Sequence, residues 1–278
     1  MLTVHHLNCG SFCPVGGRLF DGRSDSVTAH LVCHCLLIET AQGLVLVDTG
    51  YGMRDAAWPD RRLARFFRMV NNPALKREET AVAHVRRLGF DPADVRHIVL
   101  THLDFDHAGG IEDFPNALVH VSVRERDAAA ARAGGSFVGR RRYRPCQWDD
   151  DVSFRTYPHA RGDDWFGFDA VRDLEGLPPD ILLVPLAGHT AGHCGVALRD
   201  REGWLLHAGD AYFYRGEIGG EERECSPALA AYQTLMEVDR EQRLHNQQRL
   251  RTLAREQRGL VRIFCAHDPE ELEILAGA

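Results

Sequence analysis

Residues 101–110, THLDFDHAGG, place two histidines and two aspartates within six positions. In an extended segment, side chains two residues apart point to the same side, so His102 and Asp104 are placed to bind one ion. Asp106 and His107 are adjacent and point differently, which suits a second ion. The small residues that close the run leave room for close approach and a turn. A polar helix N-terminus with capping aspartates is the alternative, but capping does not need histidines.

Three later turns also carry histidine or aspartate, and each follows an apolar stretch typical of a strand. His189 lies in AGHTAGH, Asp210 in HAGDAYFY and His267 in CAHD. Taken alone, each has an ordinary interpretation as a turn former or a hydrogen-bonded residue. Together with the first run they supply four imidazoles and three carboxylates, which suffice for two divalent ions with open positions for water.

Two further residues are assigned supporting roles. His193, in the same turn as His189, is expected to brace the loop or to orient a ligand rather than to bind a metal. Asp48 follows a buried strand, and it is either a turn cap or a residue that orients a ligand.

These turns need strands to bring them together. Period-two and apolar runs predict strands that are separated by turn residues, and they lie at 31–38, 44–48, 97–100, 117–123, 181–187, 203–214 and 261–269. Because the ends of neighbouring strands lie close together in a sheet, the four turns are expected to converge. Helices are predicted at 78–88, with Gly89 as the C-cap, and as one long helix over 227–257. The basic segment 54–70 is interpreted as a helix of a lid or of a partner surface.

The whole chain sets broader limits. It has 278 residues and a net charge of −7, which disfavours general nucleic-acid binding. No apolar run approaches the ~20 residues that cross a bilayer. Without a recognisable signal peptide, the eight cysteines are expected as thiols in the cytoplasm. We expect a single domain over residues 1–278, in which an irregular insertion at 134–168 forms pocket walls.

The order of these motifs resembles that of the metallo-β-lactamase-fold hydrolases, and it is most similar to the N-acyl-homoserine lactone lactonases. The resemblance spans roughly residues 30–268 and includes the hairpin that ends in DTG. It implies an α/β fold, the four-layered αββα sandwich, with metals at one edge between the sheets. The implied ligands are His102, Asp104 and His189 for a first metal, Asp106, His107 and His267 for a second, and Asp210 as the bridge.

The chain departs from that family in two places. The family pattern HxHxDH is HxDxDH here, because Asp104 replaces a histidine. The lactonases also place a tyrosine three residues after the bridging aspartate, where it assists the substrate carbonyl. Here that position is Phe213, and a one-residue shift of the loop would let Tyr212 or Tyr214 serve instead.

Asp104 is expected to change the metals. Two divalent ions, three aspartates and one hydroxide give a neutral centre, which stabilises hydroxide less than the positive centre of the all-histidine pattern. A carboxylate is also a harder ligand than imidazole, so manganese or iron is favoured over zinc, and zinc retention at the first site is expected to be weak. In an alternative, Asp104 is too short to reach, and one metal binds to Asp106, His107, Asp210 and His267.

The expected activity is hydrolysis of a lactone or another small ester by a metal-bound hydroxide, with Asp106 or Asp210 passing a proton to the leaving alkoxide. The run GRRRYR at 139–144 is interpreted as a solvated basic surface, with contact to an anionic substrate group as the alternative. Two other functions stay open. One is a phosphodiesterase or nuclease with the same metals. The other is an iron-dependent oxidoreductase, because flavodiiron proteins of this fold carry an acidic residue at the same position.

Overall fold

The computed structural model describes residues 2–148, 152–158, 162–170 and 174–277. Twelve strands lie in these ranges: β1 (Thr3–Phe12), β2 (Leu31–Thr40), β3 (Gly43–Val47), β4 (Val95–Val99), β5 (Leu118–Ser122), β6 (Phe154–Tyr157), β7 (Asp163–Trp165), β8 (Phe168–Ala170), β9 (Ile181–Pro185), β10 (Cys194–Arg199), β11 (Trp204–His207) and β12 (Val261–Phe264). Ten α-helices lie in the same ranges: α1 (Arg18–Asp21), α2 (Met53–Ala57), α3 (Pro59–Arg62), α4 (Arg65–Asn71), α5 (Ala81–Arg87), α6 (Val123–Ala130), α7 (Gly139–Arg142), α8 (Pro227–Met236), α9 (Arg240–Glu256) and α10 (Pro269–Ala276).

The described strands form two large sheets and a small hairpin. The first sheet has the order β1-β2-β3-β4-β5-β6, in which β1, β2 and β3 pair antiparallel and the later neighbours pair parallel. The second sheet has the order β12-β11-β10-β9, with a parallel pair only between β11 and β12. Strands β7 and β8 pair with each other. The parallel pairs matter most, because they bring the ends of β4, β11 and β12 to neighbouring positions within their sheets.

Three apolar clusters show how the layers stack. Ile38 and Val47 of the first sheet pack with Leu183 and Val196 of the second, so the two sheets face each other across one core. The outer face of the first sheet packs against helices. Leu46 of β3, for example, lies in one apolar cluster with Val82 and Val85 of α5. The outer face of the second sheet packs against Leu250 and Leu253 of α9. The expected αββα sandwich is therefore confirmed.

All seven predicted strands are present with shifted ends, whereas two helix predictions are wrong. The segment 54–70 forms three short helices, because Pro59 begins a new helix and Leu63 is extended. The helix predicted over 227–257 is interrupted after Met236. There Val238 and Asp239 donate backbone hydrogen bonds to the carbonyl of Gly188, and Asp239 caps α9. This break ties the helical layer to the turn that carries His189.

The insertion at 134–168 contains α7, β6 and part of the small hairpin, although residues 149–151 and 159–161 of it lie outside the described ranges. Strand β1, which pairs with β2 over most of its length, was not predicted. Among the described residues, none of the helices combines the length and the apolar composition that a membrane span requires.

Candidate metal centre

Four strand ends bring the seven predicted metal ligands together. The loop after β4 supplies four of them, and the turns after β9, β11 and β12 supply one each. All seven residues are 6% exposed or less. Three overlapping groups of donor atoms, each compact enough to hold one ion, consist of His102, Asp104 and His189, of His102, His107 and Asp210, and of Asp106, His107 and His267. The expected convergence of the four turns is therefore confirmed.

Four donor atoms form what we name the first half-site: His102 Nε2, His189 Nε2, Asp104 Oδ2 and Asp210 Oδ2. The two imidazole nitrogens lie 3.5 and 3.1 Å from Asp104 Oδ2. They lie 3.8 and 3.3 Å from Asp210 Oδ2. Two donors of one tetrahedral ion are about 3.4 Å apart when each bond is near 2.1 Å. These separations therefore match the space around a single ion.

The second half-site consists of Asp106 Oδ2, His107 Nε2, His267 Nε2 and the other oxygen of Asp210, Oδ1. His107 Nε2 and His267 Nε2 lie 3.3 and 3.1 Å from Asp210 Oδ1. They lie 3.8 and 3.7 Å from Asp106 Oδ2. Asp210 thus presents one oxygen to each half-site, which is the geometry of a bridging carboxylate.

Orphaned polar atoms show that the centre fits cations. His102 Nε2, His107 Nε2 and Asp210 Oδ1 are buried and have no hydrogen-bond partner among the described residues. Buried polar atoms normally have partners, so these lone pairs are available for metal ions. Although burial alone would lower it, Asp210 and Asp48 raise the pKa of His107 well above its usual value. Asp210 raises the pKa of His267 in the same way against burial. The field at the second half-site therefore attracts positive charge.

Outer hydrogen bonds orient three of the four imidazoles. His107 Nδ1 donates to Asp48 Oδ2 at 2.8 Å, and His267 Nδ1 donates to the carbonyl of Val32 at 2.7 Å. His102 Nδ1 lies 2.9 Å from the hydroxyl of Thr101, which itself donates to Asp48. That hydroxyl must therefore accept from Nδ1. In all three rings the proton sits on Nδ1, which leaves the Nε2 lone pair for a metal.

Asp48 is the centre of this outer layer. It accepts hydrogen bonds from the backbone N–H of Thr101 at 2.8 Å, from the Thr101 hydroxyl and from His107. Its φ is +56°, a left-handed conformation that is unfavourable for a residue other than glycine. Asp48 is thus held in a strained backbone conformation and orients a predicted ligand, which was one of its two expected roles.

His193 braces the loops, as expected. Its Nδ1 donates to the carbonyl of Leu186 at 3.0 Å, and its Nε2 accepts from the backbone N–H of Asp210 at 2.9 Å. Gly209 permits this contact, because a Cβ there would lie 2.6 Å from His193 Nε2. The imidazole therefore links the turn of His189 to the turn of Asp210.

Glu125, near the start of α6, was not predicted as a site residue. Its buried carboxylate accepts from the backbone N–H of Leu103 at 3.1 Å, from the hydroxyl of Thr190 at 2.7 Å and from the backbone N–H of Gly192 at 3.1 Å. It therefore joins the loop after β4 to the turn of His189. The only signal in the sequence is an acidic residue that follows a buried strand, and that signal is weak.

Arg142 departs from the interpretation of GRRRYR as a solvated surface, although Arg140 of the same run is exposed. Its side chain is fully buried, and its Nη2 donates to Asp104 Oδ2 at 2.8 Å. Its Nε lies 2.8 Å from Asp104 Oδ1 in an ion pair. A backbone bridge between Asp104 and Tyr143 holds the two segments side by side. The count that gave a neutral centre omitted the positive charge of Arg142, and the same count with Arg142 included gives +1.

The two tyrosines that were considered as replacements for a missing hydroxyl point elsewhere. Tyr212 is buried and donates to Glu271 at 2.9 Å, and the Tyr214 ring lies against Gly22 and Arg215. Phe213 faces the centre instead, with its ring stacked on that of His267 at 4.9 Å between centroids. An apolar ring therefore stands where the lactonase pattern has a tyrosine.

The carboxylates of the centre differ in their affinity for protons. Burial raises the pKa of Asp106 despite the neighbouring histidines, and the charges of Asp210 and Asp104 add to that rise. The pKa of Asp210 is well below its usual value, because His267 and His107 outweigh the effect of burial. Asp106 therefore holds a proton more readily than Asp210 does. Burial and then the charge of Arg142 lower the pKa of His189 to about 4, so this imidazole is neutral.

Comparisons with known proteins show the family to which the chain belongs. The profile of the Metallo-beta-lactamase superfamily matches residues 29–253. A probable metallo-hydrolase of Mycobacterium tuberculosis is 41% identical over 269 residues, which are 97% of this chain and 81% of that protein. An N-acyl homoserine lactonase of Azorhizobium caulinodans is 31% identical over 203 residues, 71% of this chain and 67% of that protein.

Solved structures show the same fold. An N-acyl homoserine lactone hydrolase, with the product N-hexanoyl-L-homoserine bound at its catalytic metal centre, superposes with a TM-score of 0.69. The two are 21% identical, and the match covers 98% of this chain and 95% of that one.

Proposed function

Since the chain belongs to the metallo-β-lactamase superfamily and is a hydrolase, we propose that it cleaves a lactone or another small ester with two divalent metal ions. One observation supports this most strongly. Two sets of four donor atoms lie side by side and share the two oxygens of Asp210.

The donor atoms fit such ions by number, type and separation. His102, Asp104 and His189 would hold one ion, and Asp106, His107 and His267 the other, with Asp210 between them. When bound, the ions polarise the ester carbonyl and supply hydroxide as the nucleophile. A serine or cysteine nucleophile is then not required. Carboxylate and imidazole donors accept zinc, manganese or iron, so the metal is to be identified by measurement.

The protein's own part in the reaction is to move a proton and to exclude water. We assign Asp106 as the carrier that protonates the leaving alkoxide, because its pKa is raised by burial. Asp210, the other candidate, is held as a carboxylate by the neighbouring imidazoles. The stacked ring of Phe213 places an apolar surface against His267, which disfavours water on that side of the imidazole.

The substrate class rests on similarity and on a cavity. The Azorhizobium relative is named an N-acyl homoserine lactonase, which points to lactones with an acyl chain. Small-ligand sites are roughly 300–1,000 Å³ in volume, and a cavity of ≈ 570 Å³ lies beside α7, lined by Phe137, Val138, Met236 and Arg142. Its apolar side chains suit an acyl chain. We propose that the insertion 134–168 contributes this wall.

A substrate screen tests the proposal. The purified protein, loaded with zinc, manganese or iron, is assayed on an N-acyl homoserine lactone, on p-nitrophenyl esters and on bis-p-nitrophenyl phosphate. We expect hydrolysis of the lactone or esters, abolished by chelation and by Asp210→Ala. Faster hydrolysis of bis-p-nitrophenyl phosphate than of the lactone and esters would indicate a phosphodiesterase instead of an ester hydrolase. Bound iron, colour and oxygen consumption without hydrolysis would indicate an oxidoreductase.

The partner and location predictions accompany this proposal. The expected partner is a small-molecule ester or lactone, and neither nucleic acid nor membrane is expected to bind. A cytoplasmic location stays a prediction from the sequence, and the oligomeric state is to be measured.

A further inference from the structure

The guanidinium of Arg142 reaches the donor atoms of the first half-site. Its Nη2 donates to Asp104 Oδ2 at 2.8 Å and to His189 Nε2 at 2.9 Å. Its Nη1 donates to the backbone carbonyl of His189 at 2.9 Å. A guanidinium has donors and no acceptor, so His189 Nε2 must be the acceptor in this contact. The lone pair that would bind the first ion is therefore used by Arg142.

Asp104 Oδ2 and His189 Nε2 differ in the number of lone pairs that they can offer to Arg142 and to a metal ion. Asp104 Oδ2 has more than one lone pair, so it can accept from Arg142 and bind an ion at once. A neutral imidazole has one lone pair on its unprotonated nitrogen, so His189 Nε2 serves either Arg142 or an ion. At His189 the guanidinium and the first ion thus exclude each other.

His189 also differs from the other three imidazoles in how its ring is held. His102, His107 and His267 each have a hydrogen-bond partner at Nδ1. His189 Nδ1 is buried and has no partner among the described residues. The contacts from Arg142 therefore orient this ring, whereas acceptors at Nδ1 orient the others for metal binding.

The second half-site has no such competitor. Within the described ranges, no arginine or lysine makes a hydrogen bond or an ion pair with Asp106, His107, His267 or Asp210. Its donors are oriented by Asp48 and Val32 and are not used by a protein cation. A cation that enters the centre meets here a set of donors none of which is used by a protein cation, whereas at the first half-site Arg142 already uses Asp104 and His189.

We propose that Arg142 makes the two half-sites unequal: the second half-site binds its ion first and tightly, and the first half-site binds only when Arg142 releases His189. Arg142 is a positioning residue, which keeps a positive charge at the first half-site in the one-ion state. Its bonds to Asp104 and to the His189 carbonyl keep it close after release. This inference rests on the metal-dependent function proposed above, and it concerns the order of binding rather than the substrate.

Zinc titration of the metal-free protein against a chromophoric chelator tests the order. In the wild type we expect two binding steps whose affinities differ at least ~30-fold, the effect of competing with a hydrogen bond from a charged donor. His267→Ala should remove the tight step, and His189→Ala should remove the weak step and keep the tight one. Arg142→Met should bring the two affinities to within roughly tenfold of each other. Arg140→Met, on the exposed side of the same helix, should leave both steps unchanged.

Specific outcomes decide between the possibilities. Two equally tight steps in the wild type, or loss of the tight step in His189→Ala, would overturn the inference and leave the proposed hydrolase intact. A folded Arg142→Met protein whose two zinc affinities differ as much as those of the wild type would also overturn the inference. If that variant does not fold, the His189→Ala and His267→Ala titrations still assign the two steps. No zinc binding at all would contradict both this inference and the metal-dependent function.

Discussion

Arg142 and Asp104 form a buried ion pair in which Nη2 lies 2.8 Å from Oδ2 and Nε lies 2.8 Å from Oδ1. Burial alone would raise the pKa of Asp104, but Arg142 and then His102 hold it well below its usual value. The aspartate that replaces a histidine in the metal motif thus comes with a counter-charge 38 residues later. The two residues form one unit, in which an acidic side chain and a buried base stand where the family pattern has a neutral imidazole.

The pairing predicts strong energetic coupling. We expect Asp104→His alone to lose about 3–5 kcal/mol of unfolding free energy, because Arg142 is left buried without its carboxylate. Arg142→Met alone should also destabilise the metal-free protein, since Asp104 is then unpaired. The double variant, which places a neutral imidazole beside an apolar side chain, should recover most of the loss. Urea unfolding of the four metal-free proteins measures the coupling as a double-mutant cycle.

A matched double variant provides the control. Arg141 stacks on Phe137 and does not contact Asp104. Adding Arg141→Met to Asp104→His should therefore rescue nothing. Additive effects of Asp104→His and Arg142→Met would show that the ion pair contributes no coupling, contrary to the structure.

Glu125 is predicted to hold the loops of the centre in register. Glu125→Gln keeps the shape but replaces one carboxylate oxygen by an amide NH₂, which must then face either the N–H of Leu103 or the donors of Thr190 and Gly192. We expect a loss of about 3 kcal/mol in unfolding free energy and weaker zinc binding in both steps. Asp127→Asn, an exposed change of the same kind on the same helix, should stay within ~0.5 kcal/mol of the wild type. A Glu125→Gln protein as stable as that control would refute the role.

The layered fold was predicted through the family that the order of the motifs resembles, whereas the clustering of the seven residues was predicted from their positions at strand ends. Each predicted ligand follows an apolar strand, and parallel pairing puts such strand ends side by side. Arg142 was missed because four arginines stand in one short run, and only the partner in space distinguishes the buried one. The break after Met236 was missed because it depends on hydrogen bonds to Gly188, far away in the chain.

Glu271 gives a prediction about pH. Burial and then the negative charge of Asp268 raise the pKa of Glu271 to about 8. A carboxyl whose folded pKa exceeds its unfolded value of about 4.5 stabilises the fold most at low pH, and that stability is lost as pH rises through the folded pKa. Glu271→Gln cannot ionise, so it should melt at a higher temperature than the wild type at pH 9.

At pH 5 the difference between the two proteins should be small, because the wild-type carboxyl is then largely protonated. Melting curves by circular dichroism at pH 5, 7 and 9 follow this difference. Glu270 is a half-exposed neighbour that pairs with Arg215. Glu270→Gln should therefore leave the dependence of the melting temperature on pH unchanged. Parallel pH profiles for Glu271→Gln and the wild type would exclude a role for this carboxyl.

Asp106 is predicted to protonate the leaving group, and the leaving group itself supplies the test. Asp106→Asn removes the proton but keeps an oxygen donor toward the second half-site. We expect kcat to fall ~100-fold or more on an ester of an aliphatic alcohol or a lactone, because the alkoxide needs a proton as it leaves. A p-nitrophenyl ester releases p-nitrophenolate, which is stable without a proton, so kcat on this substrate should fall less than about tenfold. Zinc content measured on the same samples separates loss of the proton carrier from loss of metal. Equal losses on both substrates with both ions retained would remove Asp106 from this role and leave Asp210 as the proton carrier.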